Sequence, residues 1–303
     1  MFFTNIKPKQ KIAVKLISYH SSTYLSNNCW GLFSFYCKSV DTQNIQDIKI
    51  RIYTPVSAVS IPGSHESLKL YGGPLAVCQV WTLDQQLRAG LRFFDIHAGF
   101  WLPTQTDLSI RDSNWKFWQN SRLDEVFRKI LHFLDSHQTE AVLLRVTLHG
   151  FYKERAVQLV KKLIKKNENR FWTKHSVPKM KDARGKIVFL QNKMFPVGAE
   201  NQKLFFFEFN KLKDVEGKVR RIRTRFCGQN IVLTENPARS LRSPKSLARS
   251  VNKQLKEFLQ NHRRTSSNLG CLGVLSLDFP GPDLIQDIII WFFDSLLIMN
   301  KLL

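Results

Sequence analysis

The sequence predicts an α/β fold in which a single domain forms a closed β/α barrel, and three observations support this. Short apolar segments of strand character alternate with amphipathic helical segments from residue 56 to residue 293, which is typical of a parallel sheet covered by helices. One strand segment is apolar throughout, as expected where both faces of a sheet are buried. A length of 303 residues and a hydrophobic share of 43% suit one large barrel.

The alternation begins with a strand, a helix and a second strand. VSAVSI (56–61) is a short apolar segment that precedes a Pro-Gly pair, and we expect a buried strand that ends there. A helix is predicted near residues 82–89 because Thr82 and Gln85 match a capping box. LRFFDIH (91–97) has strand character, so this stretch predicts the first strand–helix–strand unit of the barrel.

The next unit contains two amphipathic helices on either side of the most apolar strand. AVLLRVT (141–147) is the continuously apolar segment, and the helix at 154–166 places valines and an isoleucine inward and lysines outward. The helix at 122–136 precedes them, and its spacing places six apolar residues on one face: Leu123, Val126, Phe127, Ile130, Leu131 and Leu134.

The second half of the chain continues in the same order. KIVFL (186–190) and NIVL (230–233) predict strands, and the segment 244–259 predicts a helix with a proline at its start. CLGVLSLD (271–278) predicts the last strand, and DLIQDIIIWFF (283–293) predicts the closing helix. The barrel domain is therefore expected over residues 56–293.

The two ends of the chain lie outside the predicted barrel. Residues 1–55 form a weakly patterned N-terminal extension, and residues 294–303 form a C-terminal tail. Charges interrupt the apolar run that a signal peptide needs. The apolar stretch near the C-terminus is shorter than the roughly 20 residues of a spanning helix and contains Asp294. We therefore expect no membrane span.

The cysteines suggest the compartment. Their number is odd and their spacing fits neither a metal site nor a disulfide framework, which favours a reducing compartment. We expect an intracellular, cytoplasmic protein with peripheral membrane association. The five residues are Cys29, Cys37, Cys78, Cys227 and Cys271.

The positive charge is concentrated in one part of the chain. There are 46 Lys+Arg and 24 Asp+Glu, a net charge of +22. Residues 151–270 hold 29 basic and 9 acidic residues, which leaves +2 for the remainder. Such a field attracts phosphate-bearing partners, and we expect an anionic membrane surface. The basic run VRRIRTRF (219–226) lacks a nucleic-acid recognition motif, so nucleic-acid binding is disfavoured.

Ionisable side chains follow three of the predicted strands. His65 and Glu66 follow the first strand, Asp95 and His97 lie on one face of the second, and Asp278 ends the last. Because the working residues of a β/α barrel lie at the carboxyl ends of its strands, we expect these five residues at one mouth.

These segments resemble a known family. The run SIPGSHESLKLYGGPLAVCQVWTLDQQLRAGLRFFDIH, together with TEAVLLRV, RGKIVFLQ, SPKSLARSVNKQLKEFL and GVLSLDFPGPDLIQ, is similar to the X-domain of phosphatidylinositol-specific phospholipase C. The similarity is strongest to its small single-domain members with bacterial-type motifs, which also occur in animals. It covers roughly residues 56–290 and implies a distorted TIM barrel that cleaves inositol phospholipid to diacylglycerol and a cyclic inositol phosphate.

The resemblance also implies roles for the strand-end residues. His65 matches the general base, and Asp278 matches the carboxylate that orients it. Glu66 stands where the family has Asp or Asn, and Asp95 matches the acidic residue of the second motif. No metal ligands or cofactors are expected, and calcium is not expected because an acidic ligand set is absent. Further candidates for substrate binding are Arg92 and Arg145.

Two positions depart from the family. His97 occupies the place of an arginine that clamps the phosphate in metal-independent members, and a neutral imidazole does not replace a guanidinium. The second catalytic histidine is also missing. Asp112 or Arg111 occupies its place, and His149 at the end of the third predicted strand is another candidate for the general acid. The alternative is therefore a catalytically impaired relative that binds acidic membranes or a partner of unspecified kind, in an oligomeric state that the sequence leaves open.

Overall fold

A computed structural model of the protein describes residues 53–111, 118–204, 207–208, 211–212, 229–235, 243–265 and 270–299. Most of the predicted N-terminal extension, the candidate Asp112 and the basic run 219–226 lie outside these residues. The described part contains the alternating strands and helices that the sequence predicts.

The central sheet confirms the predicted fold class. Eight of its strands run parallel in the order β6-β7-β5-β2-β1-β12-β11-β8, and the sheet curls into a distorted barrel surrounded by helices. A parallel bridge between Leu190 and Ala199 links the end of β7 to the start of β8. These strands are β1 (Ile61–Ser64), β2 (Phe93–Gly99), β5 (Val142–His149), β6 (Phe171–Trp172), β7 (Ile187–Phe189), β8 (Asn201–Leu204), β11 (Ile231–Glu235) and β12 (Val274–Leu277).

Four short strands add antiparallel pairs that the sequence analysis did not predict. Strands β3 (Ser109–Arg111) and β4 (Trp118–Arg122) form a hairpin that extends the edge of β2 near its carboxyl end. Strands β9 (Phe207–Glu208) and β10 (Lys211–Leu212) pair only with each other. These segments are too short and polar for the alternation of a half-buried strand to be recognised.

The sequence predicts five of the six helices, but not the short helix Met180–Ala183, and the helices Pro244–Thr265 and Pro282–Met299 each continue six residues past their predicted ends at 259 and 293. Helix α2 buries Leu123, Val126, Phe127, Ile130 and Leu134 as expected, whereas Leu131 is half-buried. Thr82 caps α1 through the predicted capping box. The six helices of the described chain are α1 (Leu83–Arg88), α2 (Leu123–Ser136), α3 (Lys153–Lys165), α4 (Met180–Ala183), α5 (Pro244–Thr265) and α6 (Pro282–Met299). None of them is both long and apolar enough to cross a membrane.

The first strand differs from its predicted position. A 3-10 turn spans Val56–Ala58, and β1 runs through the Pro-Gly pair instead of ending there. Gly63 explains the difference, because a Cβ at this residue would lie 2.6 Å from the Phe93 side chain on β2. The glycine therefore permits a close approach of two strands rather than a turn. Pro62 still contributes its carbonyl, which accepts from the backbone N–H of Arg92.

The cysteine prediction requires a correction. Cys271 is disulfide-bonded, whereas Cys78 is a free, buried thiol. The argument from cysteines for a reducing compartment is therefore removed.

Candidate active site

The strand register places four ionisable side chains at one level of the barrel. The last residue of β1 pairs with the residue before Asp95 on β2 and with the last residue of β12. His65, Asp95 and Asp278 therefore stand side by side. Asp95 in turn pairs with Arg145 on β5. The structure thus brings together at the carboxyl ends the residues that the sequence predicted for one mouth, together with Arg145, which was predicted as a candidate for substrate binding.

His65 is held by Asp278. Its Nδ1 lies 2.9 Å from Oδ1 of the carboxylate, and both side chains are nearly buried, at 13% and 4% exposure. Burial alone would lower the pKa of His65, but the charge and hydrogen bond of Asp278, with contributions from Cys78 and Asp95, raise it well above 6.5. Because a carboxylate can only accept, Nδ1 carries the shared proton, and Nε2 is the nitrogen left to act on a substrate.

A buried glutamine supports the backbone around this histidine. The Gln79 amide donates to the carbonyl oxygens of His65 at 2.8 Å and of Leu277 at 2.9 Å, which ties the ends of β1 and β12 together. Gln86 performs a similar task beneath the site, where its amide oxygen accepts from the Ser64 hydroxyl at 2.7 Å. Sequence reasoning missed both roles, although both glutamines fall within the run that carried the family resemblance.

Two residues next to the pair adopt the left-handed backbone region. Glu66 has a φ of 39° and Phe279 a φ of 44°, and each directly follows a member of the His65–Asp278 pair. Non-glycine residues rarely adopt such values, and they are concentrated at functional sites where surrounding contacts hold them. Asn252 of α5 donates to the carbonyls of Asp278 and Phe279 and so holds one of these turns.

Asp95 and Arg145 form a buried bidentate pair. Nε of the guanidinium lies 2.9 Å from one carboxylate oxygen and Nη2 lies 2.9 Å from the other. Burial would raise the pKa of Asp95, but Arg145 and His97 outweigh it and hold the pKa well below its usual range. Asp95 is therefore a permanent anion whose charge is balanced within the site.

Glu66 is also paired. Its carboxylate lies 2.8 Å from Nζ of Lys69, and both side chains are buried. Burial would raise the pKa of Glu66, but the charges of His65, Lys69 and His97 lower it. The side chain that replaces the family's Asp thus remains ionised beside His65.

The other two candidate histidines, His97 and His149, form a pair of their own one step above Asp95. Nδ1 of His97 lies 2.7 Å from Nε2 of His149, and Nε2 of His97 lies 3.4 Å from the Asp95 carboxylate. The ring centroids are 5.0 Å apart and the planes differ by 25°. A centroid separation so much larger than the nitrogen separation means that the rings lie edge to edge, as an imidazole–imidazole hydrogen bond requires.

His149 is the more weakly basic member of this pair. Burial, followed by the charge of His97, lowers its pKa to about 4, although Asp95 and Glu66 act in the opposite direction. Lys153 adds a smaller lowering effect. His149 is therefore uncharged at neutral pH.

One group of potential metal ligands occurs among the described residues. The ligand atoms of His65, Cys78 and Asp278 lie within 4.8 Å of one another. Burial raises the pKa of the Cys78 thiol to about 11, and the thiol donates to the carbonyl oxygen of Ala76 at 3.6 Å. A set with a single carboxylate does not fit calcium, which takes six to eight oxygen ligands. The predicted independence from calcium stays a prediction.

Arg92 does not belong to this site, and its predicted role in substrate binding is wrong. Its guanidinium donates to Glu140 at 2.7 Å and to the carbonyls of Leu87 and Leu91, and it is 1% exposed. Arg92 and Asp95 are three residues apart, so their side chains point to opposite faces of the strand. Arg92 faces the helices rather than the barrel interior.

Known proteins share this fold. The solved phosphatidylinositol-specific phospholipase C from Listeria monocytogenes superposes with a TM-score of 0.66 at 23% identity, covering 79% of this chain and 95% of that one. A mutant of the phosphatidylinositol-specific phospholipase C from Staphylococcus aureus gives a TM-score of 0.63 at 16% identity, covering 81% and 96%. These likenesses support the distorted TIM barrel.

The sequence comparison agrees. The 1-phosphatidylinositol phosphodiesterase of Listeria monocytogenes is 27% identical over 266 residues, covering 78% of this chain and 81% of that protein. No protein-family model matches the chain.

The fold and the site together define a β/α-barrel protein with a carboxylate-held histidine among paired charges at the carboxyl ends of its strands. More particularly, the chain is similar in sequence to the 1-phosphatidylinositol phosphodiesterase of Listeria monocytogenes and similar in fold to the bacterial phosphatidylinositol-specific phospholipases C.

Proposed function

We propose that the protein is a phosphatidylinositol phosphodiesterase of the phospholipase C type, one of the small single-domain members of that group. It would cleave an inositol phospholipid into diacylglycerol and a cyclic inositol phosphate that water then opens. The homology to bacterial enzymes supports this activity over the catalytically impaired alternative. The observation that carries it is the 2.9 Å contact between His65 Nδ1 and Asp278.

His65 is the general base in this proposal. Nε2 accepts the proton of the inositol 2-hydroxyl as the hydroxyl oxygen bonds to phosphorus, and the bond from phosphorus to the glycerol oxygen breaks. Asp278 fixes the ring and stabilises the imidazolium that forms. Asp95 and Glu66 remain ionised nearby and are suited to accept hydrogen bonds from inositol hydroxyls.

The apolar surface of the barrel supports a lipid substrate. Among the described residues, eight large apolar side chains are exposed, and seven of them lie in the loops after β1, β2 and β5, at the same end as the candidate site. Such side chains favour insertion into a membrane interface. We propose that these loops form the membrane-facing rim: Tyr71, Leu75, Val80, Trp101, Leu102, Phe151 and Tyr152.

Purified protein should be tested on vesicles of phosphatidylinositol and, separately, on vesicles of phosphatidylcholine. We expect release of diacylglycerol and an inositol phosphate from phosphatidylinositol alone, and a loss of about 10²–10⁴ in rate for His65→Ala. His132→Ala, which changes an exposed histidine on α2, is the matched control and should retain the wild-type rate. Equal release by wild type and His65→Ala would contradict the proposed function.

Location is a separate proposal. We retain peripheral attachment of an intracellular protein to anionic membranes, supported by the apolar rim and the net charge of +22. Fractionation of cells that express the protein tests it, with release from membranes by high salt as the expected result.

A further inference from the structure

The charged groups around His65 indicate which further group the reaction would require. Asp95 with Arg145 and Glu66 with Lys69 are ion pairs whose charges already balance, and Asp278 is hydrogen-bonded to His65. A phosphodiester adds a negative charge, and its cleavage leaves an alkoxide that must gain a proton. A group that can bring a proton to this layer meets both needs.

The pair of His97 and His149 has the geometry for this task. Both side chains point to the same side of the sheet as Asp95 and Arg145, because the residues are separated by even numbers on β2 and β5. Each ring is only partly buried. The pair is also close enough to Glu66 for His97 to affect the pKa of that carboxyl.

We propose that His97 and His149 act as one proton donor to the leaving oxygen, with Asp95 holding the pair in place. This inference rests on the proposed function and adds the general acid to it. In this proposal His149 is the catalytic residue, because it would donate the proton directly to the leaving oxygen, and His97 is a positioning residue that holds the ring of His149.

The hydrogen bonds define the path of the proton. Asp95 accepts a hydrogen bond from Nε2–H of His97. When the pair carries one positive charge, Nδ1–H of His97 donates to Nε2 of His149. The proton of His149 is then on its outer nitrogen, Nδ1, which is the nitrogen that does not face His97. As the phosphorus–oxygen bond breaks, that outer proton passes to the glycerol oxygen, which leaves as an alcohol. The bridging proton then moves from His97 to His149, and both rings end neutral.

The pair would also attract the substrate. The neighbouring ion pairs of Asp95 with Arg145 and of Glu66 with Lys69 have no net charge, so a bound phosphodiester anion would favour the protonated form of the histidine pair. The position where family members carry an arginine would thus still present a cation, in the form of His97.

Leaving groups of different basicity test the proposal. One substrate is phosphatidylinositol in detergent micelles, whose glycerol oxygen needs a proton. The other is inositol 4-nitrophenyl phosphate, whose oxygen departs as a stable anion. We expect His149→Ala to lose about 10²–10⁴ in kcat on the lipid but less than about tenfold on the nitrophenyl ester.

Three further variants complete the experiment. His149→Gln keeps a polar side chain of similar size and should behave like His149→Ala, and the activity that both variants retain on the nitrophenyl ester excludes misfolding as the cause. His65→Ala should lose activity on both substrates, and His132→Ala on neither. For His97→Gln we expect the same selective loss on the lipid, because the outer proton of His149 is no longer supplied.

The outcomes separate the two proposals. Equal losses on both substrates, or no loss, for the His149 variants would overturn the role of the pair and leave the proposed function intact. A wild-type protein that cleaves neither substrate would overturn the proposed function itself.

Discussion

Arg145 on β5 donates two hydrogen bonds of 2.9 Å each to the carboxylate of Asp95 on β2. Both side chains are almost fully buried, at 6% and 1% exposure. A planar guanidinium matches a carboxylate in this way, and a lysine ammonium does not. The pair therefore links the two strands at the level of His65 and keeps the carboxylate of Asp95 ionised.

Loss of the guanidinium should destabilise the fold. We expect Arg145→Met to lower the free energy of unfolding by about 3–5 kcal/mol, because it leaves the carboxylate of Asp95 buried without its partner. Urea denaturation followed by circular dichroism measures the change. Arg128→Met, at an exposed position of α2, is the control and should change stability by less than about 0.5 kcal/mol. A similar small effect for Arg145→Met would contradict this account of the pair.

The pH profile should report the link between His65 and Asp278. A general base must be unprotonated, and the pKa of His65 is raised well above 6.5. We therefore expect kcat/KM to rise with pH and to level off only above pH 6.5. Asp278→Asn removes the charge that raises the pKa, so the rise should move to lower pH while the maximal rate falls about 10²–10⁴-fold. A profile that does not move in this variant would contradict the assignment of the rise to His65.

The same pair has a consequence for stability. Because the pKa of His65 is raised in the folded protein, the pair stabilises the fold fully below the unfolded value near 6.5 and loses this contribution as pH increases through the raised value. Thermal unfolding across this range should show a difference between wild type and Asp278→Asn that is largest at the acidic end and becomes smaller above it.

Gln79 should matter for both stability and activity. Gln79→Leu keeps the approximate volume but removes two hydrogen bonds to the ends of β1 and β12, so the carbonyl of His65 loses this buried donor. We expect a loss of about 1–3 kcal/mol in unfolding free energy and a lower kcat. Gln138→Leu, at an exposed position after α2, is the control. An unchanged kcat would show that the histidine does not depend on this support.

The exposed aromatic residues at the mouth should govern attachment to lipid. Phe151 is 98% exposed after β5 and Trp101 is 55% exposed after β2. Burial of a large apolar side chain contributes about 1.5–3 kcal/mol, so Phe151→Ser should weaken binding to phosphatidylinositol vesicles about tenfold or more. Sedimentation measures the change, and Trp101→Ser should have an effect in the same direction.

The matched control for this surface is Tyr53→Ser. Tyr53 is also exposed, at 49%, but precedes β1 and does not belong to the three loops. Its replacement should leave vesicle binding unchanged. Equal weakening by Phe151→Ser and Tyr53→Ser would mean that the apolar rim does not orient the protein on the membrane.

The sequence predicted the elements better than their contacts. Helix α2 was recognisable because its apolar residues recur with helical spacing, and β5 because it is apolar throughout. The β3–β4 hairpin was missed since its strands are short and polar. Pro-Gly usually marks a turn, so the sequence predicts one at residues 62 and 63, whereas the close packing of Gly63 against Phe93 is a tertiary requirement that the sequence does not reveal.

At the site, too, the sequence predicted individual residues better than the contacts between them. A distance of 213 residues separates His65 from Asp278, and their pairing was expected from the family resemblance rather than from spacing. The contact between His97 and His149 depends on the register of two strands, which a single sequence does not specify. The sequence does exclude Arg92 from the site, because its odd separation from Asp95 assigns its side chain to the opposite face of the strand.

The register between β2 and β5 extends without interruption over seven residue pairs, from Phe93 with Leu143 to Gly99 with His149. Adjacent strands lie about 4.8 Å apart. An extended arginine or histidine side chain is long enough to span this distance. A functional group can therefore be transferred to the neighbouring strand at the same height while its reactive atom stays near the same point in space. In a barrel of this kind, the chemistry belongs to positions in the cavity, and the strand that supplies each group is free to change during evolution or in redesign.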